Sequence, residues 1–83
     1  MTILNLTNTG NWQALSSLDE GSTYEIHEAN GQNFFYSSSS TPDSTIDGTP
    51  VRDGERLKVK IGGDDCVISE FGKDLNLVCT ACN

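Results

Sequence analysis

Basic residues are scarce. Five Lys and Arg stand against twelve Asp and Glu in 83 residues, for a formal net charge of −7. Neutralising nucleic-acid phosphates needs clustered cations on a basic face, so this balance argues against nucleic-acid binding and against docking on an anionic membrane. Long hydrophobic runs are missing too. Nothing approaches the roughly 18 apolar residues of a membrane helix, and "MTILNLTNTG" has neither a basic n-region nor an apolar h-region, so no signal peptide is expected. Cysteine is present in an odd number, three, which does not fit a closed disulfide framework and points to synthesis in a reducing cytoplasm. No EF-hand loop, phosphate-binding Gly-Lys-Ser/Thr or Gly-x-Ser-x-Gly occurs.

Little apolar material is available. Hydrophobic residues make up 35% of the chain, which is low for a domain near the size where one core is marginal without a metal, a disulfide or a partner. A single domain that self-associates or docks onto a larger body is therefore expected.

What is present is β patterning. Short alternating runs recur between clusters of Gly, Asn, Asp, Ser and Pro. "TILNLT" reads as a first strand or as part of an N-terminal arm over residues 1–10. In "TYEIHEA", Tyr24 and Ile26 alternate against Glu25 and His27. "NGQN" resembles a turn, which suggests a hairpin of Tyr24 to Glu28 with Phe34 to Ser38. The stretch 37–50, "SSSSTPDSTIDGTP", reads as an exposed loop. In "ERLKVKIGG", Leu57, Val59 and Ile61 alternate with Arg56, Lys58 and Lys60. "CVISEF" and "LNLVCTAC" follow, which suggests a three-stranded C-terminal meander. Trp12, Leu15 and Leu18 have helix-like spacing, compatible with one helical turn or with a loop packing Trp12 over a barrel mouth. These runs define an all-β domain spanning residues 1–83, a small antiparallel β-barrel or sandwich of about six or seven short strands.

Cys79-Thr80-Ala81-Cys82 has CxxC spacing, and Cys66 and His27 could complete a zinc set. Strand alternation, however, sends Cys79 and Cys82 to opposite faces, and no turn residue lies within the motif. Structural thiols are the favoured reading, with an inter-subunit bridge or a metal as the alternatives. Glu25, His27 and Glu28, or Asp64 and Asp65, offer acid–base residue types, but their spacing suits a solvated face and a turn. No catalytic residue, metal ligand or cofactor is assigned.

Four of the five basic residues, Arg52, Arg56, Lys58 and Lys60, fall within nine positions. Lysines on an edge strand can simply discourage unwanted pairing. They can also form a seam that meets an acidic surface on another subunit or scaffold. Trp12, Tyr24 and Phe34-Phe35-Tyr36 are mostly core material by size, although neighbours in a strand point opposite ways and one of them can face a partner. The partner-contact candidates are Ile3, Leu4 and Leu6 of the arm, Phe34, Phe35 and Tyr36, and the ridge Arg56, Lys58 and Lys60.

The layout "NWQALSSLDEGSTYEIHEANGQ", then "FFYSSSSTPD", then "GTPVRDGERLKVKIG" resembles small virion proteins of tailed bacteriophages. It has a Trp-containing start, a strand ending near Asn-Gly, a Ser/Thr/Pro loop and a Pro-x-x-x-Gly-Glu turn. The resemblance covers about residues 11–62, and the cysteine-bearing stretch from Cys66 to Asn83 departs from it. It implies a non-enzymatic capsid decoration (cement) protein on the virion surface, made in the host cytoplasm, frequently trimeric and bound to the lattice of the major capsid protein. A tail, neck or baseplate component, or a small module binding glycans or a host surface, is the alternative.

Overall fold

A computed structural model describes residues 1–39 and 48–82. Among these residues eight strands follow one another: β1 (Thr2–Leu6), β2 (Gln13–Ala14), β3 (Thr23–Glu28), β4 (Phe34–Ser37), β5 (Thr49–Val51), β6 (Leu57–Lys60), β7 (Cys66–Ser69) and β8 (Leu75–Cys82). Among the described residues there is no helix, and hence none long and apolar enough to cross a membrane. The strands form two four-stranded sheets, β1-β8-β3-β6 (sheet 1) and β2-β7-β4-β5 (sheet 2), with every pairing antiparallel. The all-β expectation holds, in its sandwich form.

The pairing has a simple logic. β1 pairs with β8, β2 with β7, β3 with β6 and β4 with β5. This is one long hairpin rolled up on itself, and the roll brings β3 against β8 and β4 against β7. Eight strands in this order make a jelly roll.

Alternation explains what is buried. β3 reads half-buried and buried in strict turn, and Leu75, Leu77 and Cys79 of β8 all point inward. The core holds Ile26, Leu77 and Cys79 from sheet 1, Phe34 and Val67 from sheet 2, and Leu15 and Leu18 from the β2–β3 connection. Burying this set supplies the main stabilisation, at about 25 cal/mol per Å² of apolar surface.

Two local expectations fail. β3 and β4 do not form a hairpin; they lie in different sheets. Glu28 shares the inward phase of Tyr24 and Ile26, and its carboxylate accepts the backbone N–H of Asn30 (2.6 Å), Gln32 (2.9 Å) and, from β8, Asn76 (2.7 Å). A buried carboxylate saturated this way holds a wide reversal that carries the chain from one sheet to the other. β6, β7 and β8 are likewise no meander, because β7 belongs to sheet 2 and β6 and β8 are separated by β3. The Gly62–Asp65 turn makes the switch. Buried Asp65 receives the Gly62 N–H at 3.0 Å and the Tyr36 hydroxyl at 2.6 Å.

β2 and β5 bring the strands among the described residues to eight, against the six or seven expected. Thr2–Leu6 is a paired strand along β8, so the first-strand reading of that stretch describes it. Of the expected loop 37–50, Ser37 is a buried end of β4, and Thr49 and Pro50 lie in β5, an edge strand where proline removes no ladder bond. Residues 40–47 fall outside the described residues. The Trp12–Leu18 stretch holds β2 and then a turn at Ser16-Ser17 rather than a helix, with the Leu18 N–H on the Leu15 carbonyl.

Candidate functional site

The groups that most resemble chemistry are structural. Cys79 is fully buried in the core, where burial pushes its thiol up to about 11. Cys82 sits on the opposite face of β8, partly exposed. Cys66 lies across from Ser37 on sheet 2 and donates to the Ser39 carbonyl at 3.2 Å. Burial first, then the Asp65 and Asp64 charges, raise its thiol. All three are free cysteines, and the raised thiols of Cys66 and Cys79 carry little of the reactive thiolate. Among the described residues no three His, Cys, Asp or Glu gather as metal ligands would. The Tyr36 hydroxyl is held well above its ordinary value by burial and by its bond to Asp65. Glu28 and Asp65 spend their oxygens on backbone and tyrosine donors, as described above.

A shallow, open depression of about 100 Å³ lies between Asn5, Leu6, Thr7 and Asp74, Leu75, Asn76. Small-molecule sites usually offer roughly 300 Å³ or more.

The outer faces of the two sheets differ sharply. On sheet 1 the outward residues of β3 and β6 include Glu25, His27, Lys58 and Lys60, and those of β1 and β8 include Ile3 beside Val78. Ile3 is 57% exposed. Arg56, just before β6, binds Glu25 at 2.8 Å, which leaves Lys58 and Lys60 as the cations of this edge without an ion pair among the described residues.

On sheet 2 the outward row is Pro50, Phe35 and Ile68, opposite one another on β5, β4 and β7. Trp12 joins them. From the β2 side it reaches across the sheet, since a Cβ placed on Gly48 would lie 2.8 Å from Trp12 Cη2 and 2.9 Å from Phe35 Cβ. The absence of a side chain at Gly48 is what lets the indole approach so closely there. Phe35, Trp12 and Ile68 are half-buried yet do not belong to the core, so they form a second apolar cluster outside it. Among the described residues, charge meets this cluster at its margin, where Arg52 and Glu70 pair at 3.3 Å and Asn33 also donates to Glu70.

Measured against this geometry, the contact candidates divide. Leu4 and Phe34 are withdrawn. Both point into the core, Phe34 with 1% of its surface exposed, and neither can meet a partner in the folded chain. Leu6 packs half-buried against the core, and Tyr36 turns inward to Asp65. Ile3, Phe35, Arg56, Lys58 and Lys60 lie on outer faces. Trp12, Pro50 and Ile68 were missed as a surface, because nothing in the spacing of three separate segments shows that the roll brings them together. Phe71, 66% exposed in the β7–β8 turn, was also missed. Its place beside Gly72 in "EFGKD" was the only available hint.

Comparison of the chain with protein-family models, with curated proteins and with solved structures finds no match.

Proposed function

We propose that this chain is a non-enzymatic virion structural protein that decorates and stabilises a bacteriophage capsid by binding between capsid subunits, acting as a homo-oligomer with a trimer favoured. The observation that carries this reading is the outer face of sheet 2, where half-buried Trp12, Phe35 and Ile68 and exposed Pro50 present apolar surface, with charge among the described residues at its margin. In a chain of net charge −7, such a face is where identical copies can approach without mutual repulsion. The basic edge of β6 is then left for a different, acidic neighbour. Two further features support the reading: the buried acids serve as structural ties, and the jelly roll is an architecture used by viral capsid domains. The last point is an analogy of fold, and folds host many functions.

The test is quantitative mass spectrometry of purified virions of the source phage. A copy ratio to the major capsid protein near one, or at a fixed large fraction of it, is expected. A few to a few dozen copies would move the chain to the tail, neck or baseplate, and its absence from the particle would overturn the virion reading.

One observation favours a second reading. Trp12 and Phe35 side by side on an exposed face also suit a glycan- or host-surface-binding module, and lectins share the jelly roll. Hits on a glycan array that vanish with Trp12→Ala would select it.

A further inference from the structure

β6 ends the order of sheet 1, so one side of its backbone has no strand partner among the described residues. Ladder parity says which groups are on that side. The Ile61 N–H donates to the Ser22 carbonyl, and the register pairs Val59 with Tyr24 and Leu57 with Ile26. Bonded pairs alternate along an antiparallel ladder, so Leu57, Val59 and Ile61 direct their backbone groups at β3, and Lys58 and Lys60 direct theirs off the edge. The other side of β3 agrees: the Ala29 N–H donates to the Asn76 carbonyl, which puts the odd-numbered residues of β3 on β8 and the even-numbered ones on β6.

Two properties therefore coincide in the same two residues. Lys58 and Lys60 carry the free backbone donors and acceptors, and they also carry the cations of this edge without an ion pair among the described residues. A strand added there would place its bonded residues directly opposite Lys58 and Lys60, with their side chains on the outer face two residues apart. Its intervening residue would point the other way, toward Leu57 and Val59, which are only partly buried at the rim of the core.

We propose that the free edge of β6 is a strand-addition site for an extended segment of another protein with the pattern acidic–apolar–acidic. Main-chain bonds to Lys58 and Lys60 supply affinity, and the two ammonium groups select carboxylates and fix register. A second copy of this chain is a poor occupant. Its only carboxylates two residues apart are Asp53 and Glu55. These flank Gly54 in a tight turn, where Glu55 already accepts the Arg52 N–H at 2.9 Å. In the virion reading the segment belongs to a lattice subunit. The site itself does not depend on that reading.

The test is an NMR titration of the ¹⁵N-labelled chain with the peptide acetyl-TVEVEVT-amide, using acetyl-TVKVKVT-amide as control. Shifts confined to the amides of residues 57–61, and slowed exchange at the Lys58 and Lys60 amides, are expected with the acidic peptide alone. Affinity should fall at least about tenfold in the folded double variant Lys58→Glu, Lys60→Glu, and should weaken steadily toward about 0.3 M salt. Lys58→Pro separates pairing from charge attraction, because it removes a donor that β3 does not use. It should weaken the peptide while sparing the fold, and if it unfolds the chain, exchange at the Lys58 and Lys60 amides of the unmutated protein decides the matter. Equal binding of the lysine peptide, affinity unchanged by the charge reversal, shifts centred elsewhere or no binding at millimolar peptide would each overturn the proposal. Failure of the virion measurement alone would leave it standing.

Discussion

Sheet 1 and sheet 2 are built from the same alternation and use it differently. Both bury one face in a shared core. Sheet 1 then turns Glu25, His27, Lys58 and Lys60 to the outside, whereas sheet 2 turns out Phe35, Pro50 and Ile68 and lays Trp12 across them. Folding alone would be satisfied by polar residues on both outer faces. The second face is therefore the part of the molecule that folding does not explain, and a small acidic domain keeps apolar surface there at the risk of aggregation unless something covers it. Phe34 and Phe35 condense the contrast into one dipeptide, with the first ring in the core and the second on the surface.

The sharpest way to break this comparison is at that dipeptide. Phe34→Ala should cost about 3–5 kcal/mol in urea unfolding, enough to unfold a domain this small, because it empties a fully buried site. Phe35→Ala should cost under about 1 kcal/mol, as surface changes do. Equal costs would erase the distinction between core and outer cluster.

Next comes the tie between sheets. Glu28→Ala leaves three backbone N–H groups without their acceptor and should cost about 2–3 kcal/mol. Glu28→Gln should recover part of the loss by restoring one oxygen acceptor, and hydrogen exchange at Asn30, Gln32 and Asn76 would report the damage residue by residue.

Alkaline stability reports on the inward face of β8. The folded Cys79 thiol is raised from 9.0 to about 11, so the folded chain keeps a proton that the unfolded chain loses first. Its contribution is complete below pH 9 and fades as pH rises to about 11, by about 2–3 kcal/mol. Tyr36 and Cys66 slope the same way. Unfolding measured against pH should therefore flatten over this window in Cys79→Ala, and a slope unchanged by that substitution would contradict the assignment.

A smaller effect sharpens the picture of sheet 2. Gly48→Ala forces a methyl group against the Trp12 ring and Phe35, at about 1–3 kcal/mol. The chain has one tryptophan, so its fluorescence should report a displaced indole directly. An unchanged spectrum would mean that Trp12 does not lie across Gly48.

Much of the strand content was readable from residues. Alternation in Leu57–Ile61 and Leu75–Cys82 placed both the strands and their inward faces, and it separated Cys79 from Cys82. Partner choice was not readable. An alternating strand looks the same whichever neighbour it bonds, and here most partners are far apart in sequence, as Thr2 and Cys79 are. Local turn signals misled for the same reason. Asn30-Gly31 looks like a hairpin turn, yet the Glu28 carboxylate beneath it bends the chain out of its sheet. Among the contact candidates, Leu4 and Phe34 failed because contiguous runs were chosen where alternation should have split them. The surface of Trp12, Phe35, Pro50 and Ile68 stayed hidden because four segments meet only after the roll is complete.

The most direct test of the central claim, that the outer face of sheet 2 joins copies of this chain, is sedimentation velocity of the purified protein beside its Phe35→Asp variant. The account predicts that the unmutated chain runs at about three times its 9.0 kDa mass, while the variant runs as a folded monomer because a carboxylate now sits in the apolar contact. A monomer at every concentration, or an assembly indifferent to Phe35→Asp, would contradict it.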